Sequence, residues 1–234
     1  MKYRAVLLWA LIFLCRNASL PCAAESAVEV PQKSVYSSHL NDENKIALTF
    51  DDGPHPVYTP QILDILKQYG VHATFFMIGE NAQRYPELVL RIMREGHEIG
   101  NHTYYHANLQ KTKPEKIREE ILDAENVILQ IGDLRPKLLR PPGGLYDQRV
   151  CEAARALDYD IILWTVDTLD WAHTPPEEIV DKVKNNIQCG DIILCHDFVG
   201  GKPSPTPEAL RRLLPDLLLN NYEFVTVSEL IHSK

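Results

Sequence analysis

From Lys45 onward the chain repeats one pattern: a short apolar run, a polar or Gly/Pro-bearing loop, then an amphipathic stretch ending near glycine. Residues 46–50 read as a strand, and residues 60–69 as a helix with Thr59 as its N-cap and Gly70 just past its end. Residues 73–78 are the next strand, and 86–95, opened by Pro86 and followed by Gly96, the next helix. Further apolar runs stand at 98–100, 137–139, 161–164, 192–195 and 224–227, most of them separated by helical stretches at 114–131, 147–157, 176–187 and 207–219. Strands alternating with helices pair in parallel and make an α/β fold. About seven such repeats in roughly 190 residues are too few for a full (β/α)₈ unit. The expected architecture is therefore a distorted, incomplete (β/α) barrel of about seven parallel strands, with its chemistry at the C-terminal strand ends.

Ahead of this domain, Lys2 and Arg4 precede an apolar run over 5–15, a polar break at Arg16-Asn17 and the small residues Cys22-Ala23-Ala24. That is the layout of a secretory signal peptide cut after Ala24, and the run is shorter than the ~20 residues of a spanning helix. Residues 25–44 show no apolar period and read as a flexible linker, which leaves 45–234 as one catalytic domain. The expectation is a secreted, extracytoplasmic monomer with no stable membrane insertion once the leader is removed. The chain carries a net charge of −8, which becomes −11 without the leader, whose three charged residues are all basic. So acidic a protein is not expected to bind nucleic acid. Of the five cysteines two lie in the leader; the remaining Cys151, Cys189 and Cys195 are an odd count, which argues against a disulfide framework. Cys195, inside an apolar run, reads as a small buried hydrophobe.

The polar clusters fall just after apolar runs, where a parallel barrel places its active site. Asp51 and Asp52 follow Phe50; His102 and His106 follow Ile99-Gly100, four apart, and would share one face of a helical turn. One Asp with two His supplies three metal ligands and leaves a position for water, the composition of a catalytic zinc site. Arg140-Pro141-Pro142-Gly143-Gly144 follows Leu139, and Gly143 can present its N–H to a substrate oxygen. Asp167 to Trp171 and then His196-Asp197 complete the series. Each cluster alone has a plainer reading. DDGP is a common turn, nine His yield chance pairs, RPPGG can be a rigid loop, and His196 an ordinary core histidine. Asn101-His102-Thr103 spells a glycosylation acceptor, read as coincidence because a glycan there would block the neighbouring histidine.

Together the segments TFDDG (49–53), HTYYH (102–106), RPPGG (140–144), DTLDW (167–171) and LCH (194–196) carry a resemblance over about 45–231. The chain resembles the polysaccharide deacetylases of the NodB-homology type, carbohydrate esterase family 4. The resemblance implies that Asp52, His102 and His106 bind one divalent metal, zinc first, with cobalt, nickel or manganese also suited. It implies Asp51 as catalytic base, Arg140 as its positioner, Gly143 N–H as an oxyanion donor, His196 as general acid and Asp170 as the group that orients it. Trp171 and Leu194 would wall the acetyl pocket. Many relatives carry an aromatic residue where Gly143 stands, so this side of the sugar site departs from the family pattern. The implied activity is removal of N-acetyl groups from an N-acetylglucosamine polysaccharide such as peptidoglycan or chitin. The rivals are an O-acetyl esterase acting on a polymer such as xylan and a non-catalytic carbohydrate-binding relative.

Overall fold

The computed structural model describes residues 35–39, 43–198, 200 and 203–232; the signal peptide and most of the linker expectation lie outside them. The strands are β1 (Val35–Tyr36), β2 (Lys45–Asp51), β3 (Thr74–Met77), β4 (Glu98–Asn101), β5 (Leu138–Leu139), β6 (Asp160–Ile162), β7 (Val166–Asp167), β8 (Ile192–His196) and β9 (Glu223–Val225). The helices are α1 (Tyr58–Tyr69), α2 (Gly79–Arg84), α3 (Pro86–Arg94), α4 (Pro114–Gly132), α5 (Gln148–Ala156), α6 (Pro176–Asn186), α7 (Thr206–Leu219) and α8 (Val227–Ile231). One sheet runs β1-β6-β5-β4-β3-β2-β8-β7, with β9 also on β2. Every ladder is parallel, as the alternation of strands and helices demands. Only three residues separate β6 from β7, so the two flanks of the sheet converge on one segment and the sheet curls into a distorted, incomplete barrel.

The period of two along each strand decides which side chains face inward. On β2, Ile46, Leu48 and Phe50 pack in the main core with Leu63, Leu66, Leu213 and Leu214 of the flanking helices. Ala47 belongs to the interior cluster with Phe76, Leu138, Ile162 and Ile192, so Thr49 and Asp51 share that inward face. On β8 the same alternation sends Ile193 and Cys195 outward and Leu194 and His196 inward. A one-residue slip of either strand would bury the site residues among the helices.

Three expectations need correction. Residues 35–39, assigned to the flexible linker, carry β1, paired with β6, and a Ser38–Asp191 bridge, because the β6 edge would otherwise leave its backbone groups unpaired. Thr59 is not the N-cap of α1; Val57 holds that position, and Thr59 Oγ1 instead accepts from His55 N and donates to Asp197. Residues 102–106 form no helical turn, since Thr103 and His106 adopt left-handed φ of 67° and 56°. Asn101 is fully buried and donates to Ile121 O and Tyr159 Oη, which keeps the sequon inside the protein. Cys195 is buried, and no described cysteine is in a disulfide. No helix among the described residues is long and apolar enough to cross a membrane.

Candidate active site

A cavity of about 370 Å³ opens at the C-terminal strand ends, lined by residues from all five motifs: Asp51, Asp52, His102, His106, Gly143, Trp171, Leu194 and His196 among them. At its floor Asp52 Oδ1 stands 3.3 Å from both His102 Nε2 and His106 Nε2. That oxygen is buried and makes no directed hydrogen bond. The three candidate ligand atoms lie within 4.8 Å of one another. Atoms converging without donor–acceptor alignment are arranged as ligands around a point, and this donor set suits a divalent cation. His102 Nδ1 lies 2.7 Å from Arg140 O, a carbonyl that can only accept, so this nitrogen carries the proton and Nε2 keeps its lone pair for a metal. Burial pushes the Asp52 carboxyl up, but His102, His106 and His196 around it outweigh that and leave it below its ordinary range. Burial lowers His102, and Asp51 and Asp52 more than reverse the effect; at His106 burial prevails.

The loop carrying these ligands is held from outside. Asp52, Thr103 and His106 all take left-handed backbone, which costs about 1–3 kcal/mol per non-glycine residue unless the surroundings impose it. Here Asn81 Nδ2 donates to Asp52 O, Thr103 N to Asn101 Oδ1, and Tyr104 N and Tyr105 N both to the buried Glu120 carboxylate of α4.

Asp51, one residue earlier, faces different partners. Its Oδ1 accepts from Arg140 Nη1 at 2.7 Å, and its Oδ2 lies 3.7 Å from His102 Nε2. Arg140 is fully buried in the barrel interior; it also donates to Thr49 Oγ1, Ile162 O and Leu163 O and lies 4.1 Å from the Phe76 ring centroid. Burial pulls its pKa down and Asp51 offsets this. Removing one member of a buried ion pair leaves the other charge uncompensated. Arg140→Ala is therefore expected to destabilise the fold by about 3–5 kcal/mol. Thermal unfolding should show a loss of roughly 10 °C, whereas an unchanged midpoint would mean Asp51 does not depend on Arg140.

Across the pocket His196 is clamped by Asp170, which is fully buried. The imidazole Nδ1 donates to Asp170 Oδ1 and the backbone N of His196 to Oδ2, each at 2.7 Å; Trp171 N and Thr206 Oγ1 complete the carboxylate's partners. Burial lowers the His196 pKa, but Asp170, Asp51 and Asp52 overcome it and raise it to about 9. Gly143 has φ 63°, a conformation that favours glycine, and its N–H takes no part in the turn's own bonds, which run from Gly144 N and Leu145 N. A Cβ on Gly144 would stand 2.9 Å from Trp164, so the second glycine of RPPGG lets that indole pack against the loop.

All ten residues named from the sequence therefore gather here, eight lining the cavity and Arg140 and Asp170 supporting it from behind. Trp164 and Asp167 also line the cavity and were given no role; Trp164 ends the apolar run 161–164 and Asp167 opens the DTLDW segment, which was the available signal. Asp197 stood in the cluster with His196 but was given no role, and Glu120 and Thr206 had no such signal. Asp197, its carboxyl driven up to about 7 by burial, sits against Gly53, where any Cβ would meet its oxygens.

Residues 39–162 match the family described as "Polysaccharide deacetylase". A peptidoglycan-N-acetylglucosamine deacetylase of Bacillus cereus is 46% identical over 196 residues, which cover 83% of this chain and 91% of that protein. A crystal structure of a peptidoglycan N-acetylglucosamine deacetylase in complex with 4-naphthalen-1-yl-N-oxidanyl-benzamide matches with a TM-score of 0.83 at 37% identity, covering 87% of this chain and 94% of that one. A CE4 family pseudoenzyme from Bacillus anthracis matches with a TM-score of 0.79 at 27% identity, covering 85% and 69%. The same fold thus occurs in a pseudoenzyme, and activity must be argued from side chains.

Proposed function

The chain belongs to the polysaccharide deacetylase family, and from that premise we propose that it hydrolyses N-acetyl groups of an N-acetylglucosamine polymer, peptidoglycan first, using a divalent cation held by Asp52, His102 and His106. It is a hydrolase of the amide bond, a polysaccharide N-deacetylase. The observation that carries the finer reading is the unbonded, buried Asp52 Oδ1 between two imidazole nitrogens, beside a second carboxylate committed to Arg140. When bound, the cation would supply Lewis acidity, polarising the acetamide carbonyl and making water acidic enough to lose a proton near neutral pH.

The rest of the chemistry falls to the protein. Asp51, with Oδ1 fixed by Arg140, takes the proton of the attacking water. Gly143 N–H donates to the oxyanion as the carbonyl carbon becomes tetrahedral. His196, its Nδ1 spent on Asp170, presents Nε2 to the sugar nitrogen and protonates it as the C–N bond breaks. Leu194, buried, and Trp171, half exposed, flank the methyl group. Acetate and a free amine leave. The ligand of the related solved enzyme is an N-hydroxyamide, whose two adjacent oxygens are suited to chelation; this supports the metal by analogy. Action on the cell wall would be extracytoplasmic, the address that the expected signal peptide also implies.

The test is acetate release from N-acetylglucosamine oligomers and peptidoglycan beside O-acetylated xylan. Faster release from the N-acetyl substrates is expected; release from xylan alone would make the protein an esterase, and release from none of them would make it a binder.

A further inference from the structure

Just past the ends of β2 and β8, outside the residues that line the cavity, lies an aromatic surface that no step of the hydrolysis uses. The His55 ring lies between Tyr58, at 4.9 Å and 18°, and Phe198, at 5.0 Å and 11°. It is fixed there: His55 N donates to Thr59 Oγ1, and its Nδ1 accepts from Val57 N and Tyr58 N. The stack sits where β2 and β8 run out side by side. Asp51 is opposite His196 in that ladder, Asp197 N donates to Asp51 O, and Thr59 Oγ1 donates to Asp197, so the two segments are tied together beyond the strands. Phe198 is 37% exposed and Val57 52%, which leaves an apolar face open to solvent. Phe198 follows His196 by two residues, so its backbone stays within about 7 Å of that of His196, no further than one sugar unit reaches. Burial holds the His55 imidazole below its ordinary range, which favours the neutral ring.

A rigid aromatic face bordering a sugar site suits the axial C–H face of a β-linked hexopyranose. It loses little side-chain freedom on binding, and both surfaces leave water. We propose that Phe198, backed by His55 and Tyr58, forms a subsite for the pyranose ring next to the one being deacetylated. The enzyme then reads a β-linked N-acetylhexosamine chain rather than one sugar. This rests on the N-deacetylase reading of the adjoining cavity, and it offers an aromatic platform on a different loop from Gly143.

The test compares wild type, Phe198→Ala and Phe198→Trp, all zinc-loaded, against N-acetylglucosamine and its β-1,4-linked pentamer, with binding read by NMR titration and acetate release measured in parallel. Phe198→Ala should weaken pentamer binding about tenfold, equivalent to about 1.4 kcal/mol, and leave the single sugar unaffected. Phe198→Trp should bind the pentamer as wild type does. Equal weakening of both ligands, or unchanged pentamer binding in Phe198→Ala, would overturn the subsite. Pentamer binding that depends on Phe198 without acetate from either substrate would uphold the subsite and overturn the deacetylase reading. Normal acetate release with pentamer binding indifferent to Phe198 would do the reverse.

Discussion

Asp51→Asn is expected to keep its metal and lose turnover by about 10²–10⁴-fold, the effect of removing a general base. Asn at this position can still accept from Arg140, so the interior should stay packed, but it has no lone pair basic enough to take a proton from water. His102→Ala should give the opposite signature. It removes an imidazole that lies 3.3 Å from Asp52 Oδ1 and is oriented by Arg140 O, so metal content should fall along with activity. Metal analysis of the purified variants, read beside kcat/KM, separates the two roles. Equal metal loss in both would move Asp51 into the ligand set and leave the reaction without a base.

His196→Ala should cost about 10²–10⁴-fold on an N-acetyl substrate and far less on an activated ester, whose alkoxide departs with little protonation. The clamp on Asp170 gives this a pH signature. With the His196 pKa raised to about 9, the imidazolium persists through neutral pH and the acid form is lost only as the pH passes that value. The same shift bears on stability. A group whose folded pKa lies above its unfolded value of 6.5 stabilises the fold fully below 6.5, and this contribution disappears as the pH rises through about 9. Asp170→Asn removes the negative charge and turns an NH₂ toward two of the four donors, either His196 Nδ1 and Trp171 N or His196 N and Thr206 Oγ1, in place of their acceptor. The alkaline limb of kcat/KM should then move to lower pH at unchanged metal content. A limb that stays in place would show that another group, such as water at the metal, sets it, and similar losses of His196→Ala on amide and ester would remove His196 from leaving-group protonation.

The pattern of apolar runs located the strands that carry the site because β2 and β8 are buried on both faces, as parallel strands under helices must be. The same reading could not find β1, whose two residues become a strand only against β6. Nor could it find α2, where Gly-Glu-Asn-Ala-Gln-Arg offers little apolar periodicity and the helix is set by bonds from Gly79 N and Glu80 N to the carbonyls of Thr103 and Tyr104. Spacing alone put His102 and His106 on a helical face. In the fold they meet because left-handed backbone at Thr103 and His106 turns the loop back on itself, a shape imposed by Asn101 and by Glu120 from α4. Residue types with local chemistry, such as the paired Asp51 and Asp52, were legible in the chain. Groups that act by holding them, Glu120, Thr206 and Thr49, look like ordinary helix or strand residues until the tertiary fold brings them close.

Stepwise return of zinc to chelator-stripped enzyme, with acetate release from an N-acetylglucosamine oligomer recorded at each addition, tests the central claim most directly. One site built from Asp52, His102 and His106 requires activity to start near zero, rise in proportion to zinc and stop at one equivalent per chain, with no recovery in His102→Ala. Full acetate release by protein verified free of metal would contradict the account.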